Sequence, residues 1–179
     1  MNIYKKVKRR LIQFKEHPLT KDRPYVALWR YIFFNLKNRL FREQIIDWIG
    51  NLKFYAHKGD AGLVGNIYYG VYEFEESIFL LHFLNEGDVF LDVGANLGHY
   101  SLLLSGMKKC RSIAVEPIPA TYNQLVRNIK LNKLESLIES YNFGVAEKEG
   151  RLNFSTDRNT MDRIVAETYK NSIQVSVST

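Results

Sequence analysis

The sequence predicts an α/β, Rossmann-like fold, and three observations carry that prediction. VFLDVGANLGHYS, over 89–101, passes from a short apolar run into a Gly-rich turn and then into residues at helical spacing. A run that short, branched and apolar on both faces reads as a buried parallel strand. SIAV, over 112–115, is a second such run and ends on an acid, Glu116. The stretch between them and the stretch after them, 120–131, carry apolar residues at helical spacing. Strand, tight turn, helix, strand opens a nucleotide-type fold, and in open α/β sheets ligands sit at the carboxyl ends of the strands.

The elements follow in order. The first 14 residues form a basic segment with Ile3, Val7, Leu11 and Phe14 at helical spacing, punctuated by Pro18 and Pro24. Residues 27–49 read as one or two amphipathic helices through Leu28, Ile32, Leu36, Leu40, Ile45 and Ile49. A strand over 52–56 leads into a Gly-rich turn over 57–62, and a helix over 75–84 leads into the central strand. Residues 137–145 read as a third strand, and 151–155 and 172–178 alternate in the two-residue period of half-buried strands. The expected division is a basic helical N-terminal extension over 1–50 and a cofactor-binding domain over 51–179.

With 179 residues the chain has room for one domain and an appendage. A single cysteine excludes a disulfide framework and a multi-cysteine zinc site, and points to a reducing, cytoplasmic setting. The net charge is +6, but residues 1–58 hold 14 Lys/Arg against four Asp/Glu, so the extension is +10 and the remainder −4. Three uses compete for the extension: a helical lid packing its aromatic face on the core, a peripheral membrane or glycolipid contact, and nucleic-acid binding. The lid is favoured. A basic helix with Trp29, Tyr31, Phe33 and Phe34 also suits a membrane interface. No nucleic-acid reading motif accompanies the charge, so no nucleic-acid partner is expected. Residues 25–36 are too few to span a bilayer and include Arg30.

The loop reads Asp92-x-Gly94-Ala95-Asn96-x-Gly98. A dinucleotide site wants G-x-G-x-x-G, so that pyrophosphate meets the helix N-terminus. Here Asn96 stands at the second glycine, and Asp92 would repel a pyrophosphate but attract the α-ammonium of S-adenosyl-L-methionine. Gly94 and Gly98 allow close backbone approach. Glu116, 22 residues after Gly94, can accept both hydroxyls of a ribose. Blander roles compete: Asn96 as a helix cap, His99 as a helix-face residue, and Tyr68, Tyr69 and Tyr72 as packing. His57 and His82 lack partners at metal-ligand spacing, and no metal site is assigned.

FLDVGANLGHYSLLLS (90–105), AVEPIPATYNQLVRNIKLNKL (114–134) and FGVAEKEGRLNFS (143–155) resemble the FkbM family of S-adenosylmethionine-dependent methyltransferases. GNIYYGVYEFEESIFLLHFLNEGDVF (65–90) resembles the family's lead-in. The resemblance implies a class I methyltransferase fold and O-methylation of a hydroxyl on a sugar, glycolipid or secondary metabolite. It implies that Asp92, Gly94, Ala95, Asn96 and Gly98 form the methionine-side loop and that Glu116 holds the ribose. Pro117 and Ile118 would flank the adenine, Asn142 and Phe143 its edge, and Tyr72 and Glu73 would precede the capping helix. It names no catalytic base. Family members continue past the last strand here, so the fold is expected to be incomplete, lacking the C-terminal half of the sheet. The alternatives are an inactive remnant or binding module and, less favoured, an NAD-dependent oxidoreductase.

Overall fold

Short branched runs alternate with amphipathic helices through the middle of the chain. The computed structural model describes residues 3–57, 60, 63–156 and 163–179. Two helices, α1 (Ile3–Glu16) and α2 (Pro24–Lys37), precede an antiparallel hairpin of β1 (Glu43–Asp47) and β2 (Lys53–His57). Helices α3 (Gly65–Tyr69) and α4 (Phe74–Phe83) lead to β3 (Val89–Val93). Then come α5 (His99–Lys108), β4 (Arg111–Val115), α6 (Pro119–Leu131) and β5 (Ile138–Tyr141). The short β6 (Gly144–Val145), β7 (Gly150–Ser155) and β8 (Ser172–Ser178) close the chain. The expected turn over 57–62 falls largely outside the described residues.

The central sheet is parallel, in the order β3-β4-β5. The two crossovers step the same way along it, and right-handed crossovers then put α5 and α6 on one face. Asp92, Ser112, Ala114 and Ile138 are buried beneath them. Val89, Leu91 and Val93 point the other way, and each is more than half exposed. The expectation that this strand is buried on both faces is therefore corrected. It lies at the sheet's edge, and no helix among the described residues covers its outer side. The fold is the Rossmann-like, class I type that the strand–turn–helix pattern implies.

Three further expectations change. The helix expected over 27–49 ends at Lys37, with Asn38 as its C-cap. Ile45 and Ile46 instead pair with Tyr55 and Phe54 across the hairpin, as suits β-branched residues on a pleated ribbon. The division expected at residue 50 runs through this hairpin. The third strand, expected over 137–145, breaks at Asn142 and Phe143: β5 stays in the central sheet, while β6 joins β8 and β7 in a second one. The extension packs on the core, as the favoured lid reading expects. Phe14, Ala27 and Phe34 share one buried cluster with Phe54, Tyr68 and Leu97, so α1 and α2 brace the loop that follows β3. Only part of the aromatic face of α2 turns inward; Trp29 and Phe33 face solvent.

Candidate functional site

The chain turns out of β3 through three residues of positive φ: Gly94 (79°), Asn96 (53°) and Gly98 (96°). Gly98 is required twice over. Its φ disfavours a side chain, and a Cβ there would lie 2.7 Å from Leu125 Cδ1. At Gly94 a Cβ would meet nothing within 4 Å, so the backbone here faces open space. The Gly94 and Ala95 N–H groups donate to the Val115 carbonyl at 2.9 and 3.0 Å, which fastens the turn to the end of β4.

Glu116 stands at that end, 6% exposed. Its Oε2 accepts the Asn96 N–H and its Oε1 the Ile118 N–H, each at 2.9 Å. One carboxylate thus fixes the loop after β3 against the loop after β4. Asp92 is buried beneath the turn, where its Oδ2 accepts the Ser101 N–H at 3.1 Å and the Ser101 hydroxyl at 2.5 Å. Burial raises its pKa; the Ser101 bonds pull the other way, and the nearby Glu73 carboxylate adds to the rise. Burial also raises the pKa of the Tyr100 phenol, and a hydrogen bond to Glu73 raises it further.

These groups border a cleft of about 180 Å³ walled by Leu63, Glu73, Asp92, Gly94, Ala95, Asn96, Leu97, His99 and Tyr100. Two carboxylates, an open glycine backbone and a phenol on one small cleft suit an ammonium-bearing ligand. Leu97 also lines a larger cleft of about 490 Å³, bounded by His57, Asp60, Ile118 and the first turn of α6. Of the expected residues, Glu73, Asp92, Gly94, Ala95 and Asn96 meet at the first cleft, Glu116 is held at its edge, and Ile118 lines the second. Gly98 serves the turn. Tyr72 lies outside both clefts, half-exposed, with its ring against Tyr69. Pro117, Asn142 and Phe143 line neither. Asn142 Nδ2 donates to the Glu116 and Pro117 carbonyls at 2.8 and 3.1 Å, clamping the ends of β4 and β5 together.

Sequence reasoning missed the groups that hold this cleft. His99, read as a helix-face residue, is buried at the start of α5. Its Nδ1 lies 2.9 Å from Asn66 Nδ2 and its Nε2 3.0 Å from Ser77 Oγ. Asn66 Oδ1 accepts the Tyr72 N–H at 2.8 Å, so its amide nitrogen must be the donor to Nδ1. His99 therefore carries its proton on Nε2 and donates to Ser77. Burial pushes its pKa down to about 4. Asn128, fully buried in α6, donates to the Leu97 carbonyl and accepts the Tyr55 N–H, both at 2.9 Å. No spacing in the sequence links Asn66 to His99 or Asn128 to Leu97; only the fold joins them. Among the described residues no group of three or more His, Cys, Asp or Glu is placed to hold a metal ion.

Known proteins place this architecture in a family. Over 79 residues the chain is 32% identical to the tRNA(Phe) (4-demethylwyosine(37)-C(7)) aminocarboxypropyltransferase of Pyrococcus horikoshii, covering 44% of this chain and 28% of that protein. It is 38% identical over 55 residues to the enzyme of the same name from Methanocaldococcus jannaschii, covering 30% of this chain and 22% of that one. The solved structure of P. horikoshii TYW2 in complex with MeSAdo is 22% identical, with a TM-score of 0.46 over 57% of this chain and 36% of that chain. The chain thus spans under a third of the length of the curated relatives it matches. The sequence model of the TRM5/TYW2 methyltransferase domain matches residues 63–176. That match overturns the FkbM resemblance, and with it the expectation of O-methylation on a sugar, glycolipid or secondary metabolite. Relatives named for a tRNA overturn the expectation that no nucleic acid is involved. The Asp-x-Gly-x-Asn-x-Gly turn and the acid after β4 bear on the donor and leave the acceptor open, which is why the pattern led to the wrong branch. With nearly two thirds of its length matched, the chain belongs to the TRM5/TYW2 methyltransferase domain family, a family of S-adenosylmethionine-dependent enzymes.

Proposed function

We propose that this chain is the donor-binding part of an enzyme that transfers a group from S-adenosylmethionine to a nucleoside of tRNA. The observation that carries the reading is the match of the TRM5/TYW2 domain to the segment that contains the Asp92–Gly94 cleft. The donor supplies an electrophilic carbon on a sulfonium centre. The chain's own groups bind and orient. Asp92 and Glu73 face the α-ammonium, the open backbone at Gly94 admits the carboxylate end, and Glu116 lies where two ribose hydroxyls need an acceptor. Ile118 offers an apolar wall to the adenine. Pro117, Asn142 and Phe143 act one step back, by fixing the strand ends.

The relatives' names and the family's name differ in the group transferred, so the test uses two labels. Donor labelled in the methyl group and donor labelled in the carboxyl group are each incubated with the protein and bulk tRNA. Label in tRNA from the first alone means methyl transfer, and label from the carboxyl position means aminocarboxypropyl transfer. No label from either, with S-adenosylhomocysteine bound in a calorimetric titration, would leave the donor site standing and remove transfer to tRNA by this chain. No binding of S-adenosylhomocysteine would remove the donor site itself.

A further inference from the structure

Helix α2 has two apolar faces, and the core uses only one. Ala27 and Phe34 are buried. Tyr25, Trp29, Phe33 and Leu36 fall within one stripe of the opposite side at helical spacing and are exposed, Trp29 by 64%. Leu40 and Phe41, just after the helix, are exposed as well, Leu40 by 81%. Trp29 and Phe33 stack with their centroids 6.2 Å apart, and the Lys37 ammonium lies 4.7 Å from the Phe33 ring. From residue 23 to residue 42 the sequence has five Lys/Arg and no Asp or Glu. An exposed apolar stripe set among basic residues marks an interaction surface.

The chemistry of the patch selects its occupant. A second copy would bring two basic rims together without an acidic partner. A single-stranded RNA could stack on Trp29 and Phe33 but has no use for Leu36 and Leu40, which offer no π-face. An anionic bilayer surface uses every group: Leu36, Leu40 and the phenyl rings enter the acyl boundary, Trp29 and Tyr25 sit at headgroup level, and Arg30, Lys37, Arg39 and Arg42 meet phosphate. At 14 residues, about 21 Å, α2 can lie in the interface but not cross it. No helix among the described residues is long and apolar enough to cross a membrane.

We propose that α2 and the turn after it dock the protein on the surface of a membrane containing anionic phospholipid. The inference stands apart from the choice of acceptor. The test is flotation with vesicles of phosphatidylglycerol and phosphatidylcholine, against vesicles of phosphatidylcholine alone. The protein should float with the anionic vesicles, and 0.5 M salt, roughly a 4 Å screening length, should weaken that binding. Trp29→Ser, Phe33→Ser and Leu40→Ser together should reduce it at least tenfold, with the circular dichroism spectrum unchanged because all three side chains face solvent. Arg39→Glu with Arg42→Glu should abolish the preference for anionic lipid. Failure to float, or a triple variant that floats like the parent, overturns the proposal. So does a triple variant that loses tRNA binding while keeping its lipid binding, which would make the patch an RNA surface.

Discussion

Acidification should unlock the cleft through His99, and the size of the effect follows from its surroundings. The imidazole is buried, accepts at Nδ1 from Asn66 and donates at Nε2 to Ser77. A second proton would have to go on Nδ1, where it would face the Asn66 amide hydrogens. Burial accordingly lowers its pKa from 6.5 to about 4. In the unfolded chain the group protonates near 6.5, so below that pH the unfolded state binds more protons than the native state. The stability from holding His99 neutral is fully present above pH 6.5 and is lost as the pH falls toward 4. At pH 5 the loss is about 2 kcal/mol, and it approaches about 3 kcal/mol once the native group also titrates. Urea denaturation from pH 7 to pH 4.5 reads this out. The parent should lose about 2 kcal/mol more than His99→Asn between pH 7 and pH 5. Asp92, Asp60 and Glu43, whose pKa values are also displaced, are present in both proteins and cancel in the comparison. Parallel pH profiles for the two proteins would refute the argument.

Other expectations rest on single contacts. Asp92→Asn keeps an acceptor for Ser101 but removes a buried charge; stability should hold or rise, while the affinity for S-adenosylhomocysteine by calorimetry should fall about 10- to 100-fold, as for a lost charged hydrogen bond. In the parent that affinity should weaken on acidification from a higher pH than an ordinary carboxylate's, because burial raises the Asp92 pKa. Gly98→Ala places a methyl against Leu125 at a left-handed φ and should cost about 2–4 kcal/mol in urea denaturation; a loss under 0.5 kcal/mol would mean the turn relaxes freely. Leu91→Lys puts a charge on the open face of the edge strand and should lower light scattering at high protein concentration without a large change in stability.

The parallel sheet, its helices and the turn after β3 were legible because each has a local signature. Branched runs between Gly or Pro, and apolar residues at helical spacing, survive in the sequence whatever the chain does elsewhere. What failed depended on distant partners. Ile45 and Ile49 continue the apolar series of α2, and nothing local shows that Ile45 and Ile46 pair with β2 instead. Val89, Leu91 and Val93 look like core residues, and their exposure follows from both crossovers running the same way. Tyr72 and Glu73 are adjacent in sequence, yet only Glu73 reaches the small cleft. The support for that cleft comes from Asn66, His99 and Asn128, which act across separations of 33 and 31 residues.

The loop after β3 is more constrained than a glycine pattern conveys. Asp92 is committed to the Ser101 N–H below it, Glu116 to the Asn96 and Ile118 amides beside it, and the Leu97 carbonyl to the Asn128 amide behind it. Each bond fixes backbone, so these side chains hold the cleft open before any ligand arrives, and binding need not order them. On the proposed function this arrangement serves the donor alone. Acceptor choice requires other surfaces, and the larger cleft beside His57 and Asp60 meets the small cleft, among the described residues, at Leu97. Leu97→Ala should therefore do more than open a cavity in the core shared with Phe54. It should join the two clefts and weaken S-adenosylhomocysteine binding, although Leu97 offers the ligand no polar contact. Core loss alone should cost about 2–5 kcal/mol of stability, and an unchanged affinity at that cost would show that the two clefts act independently.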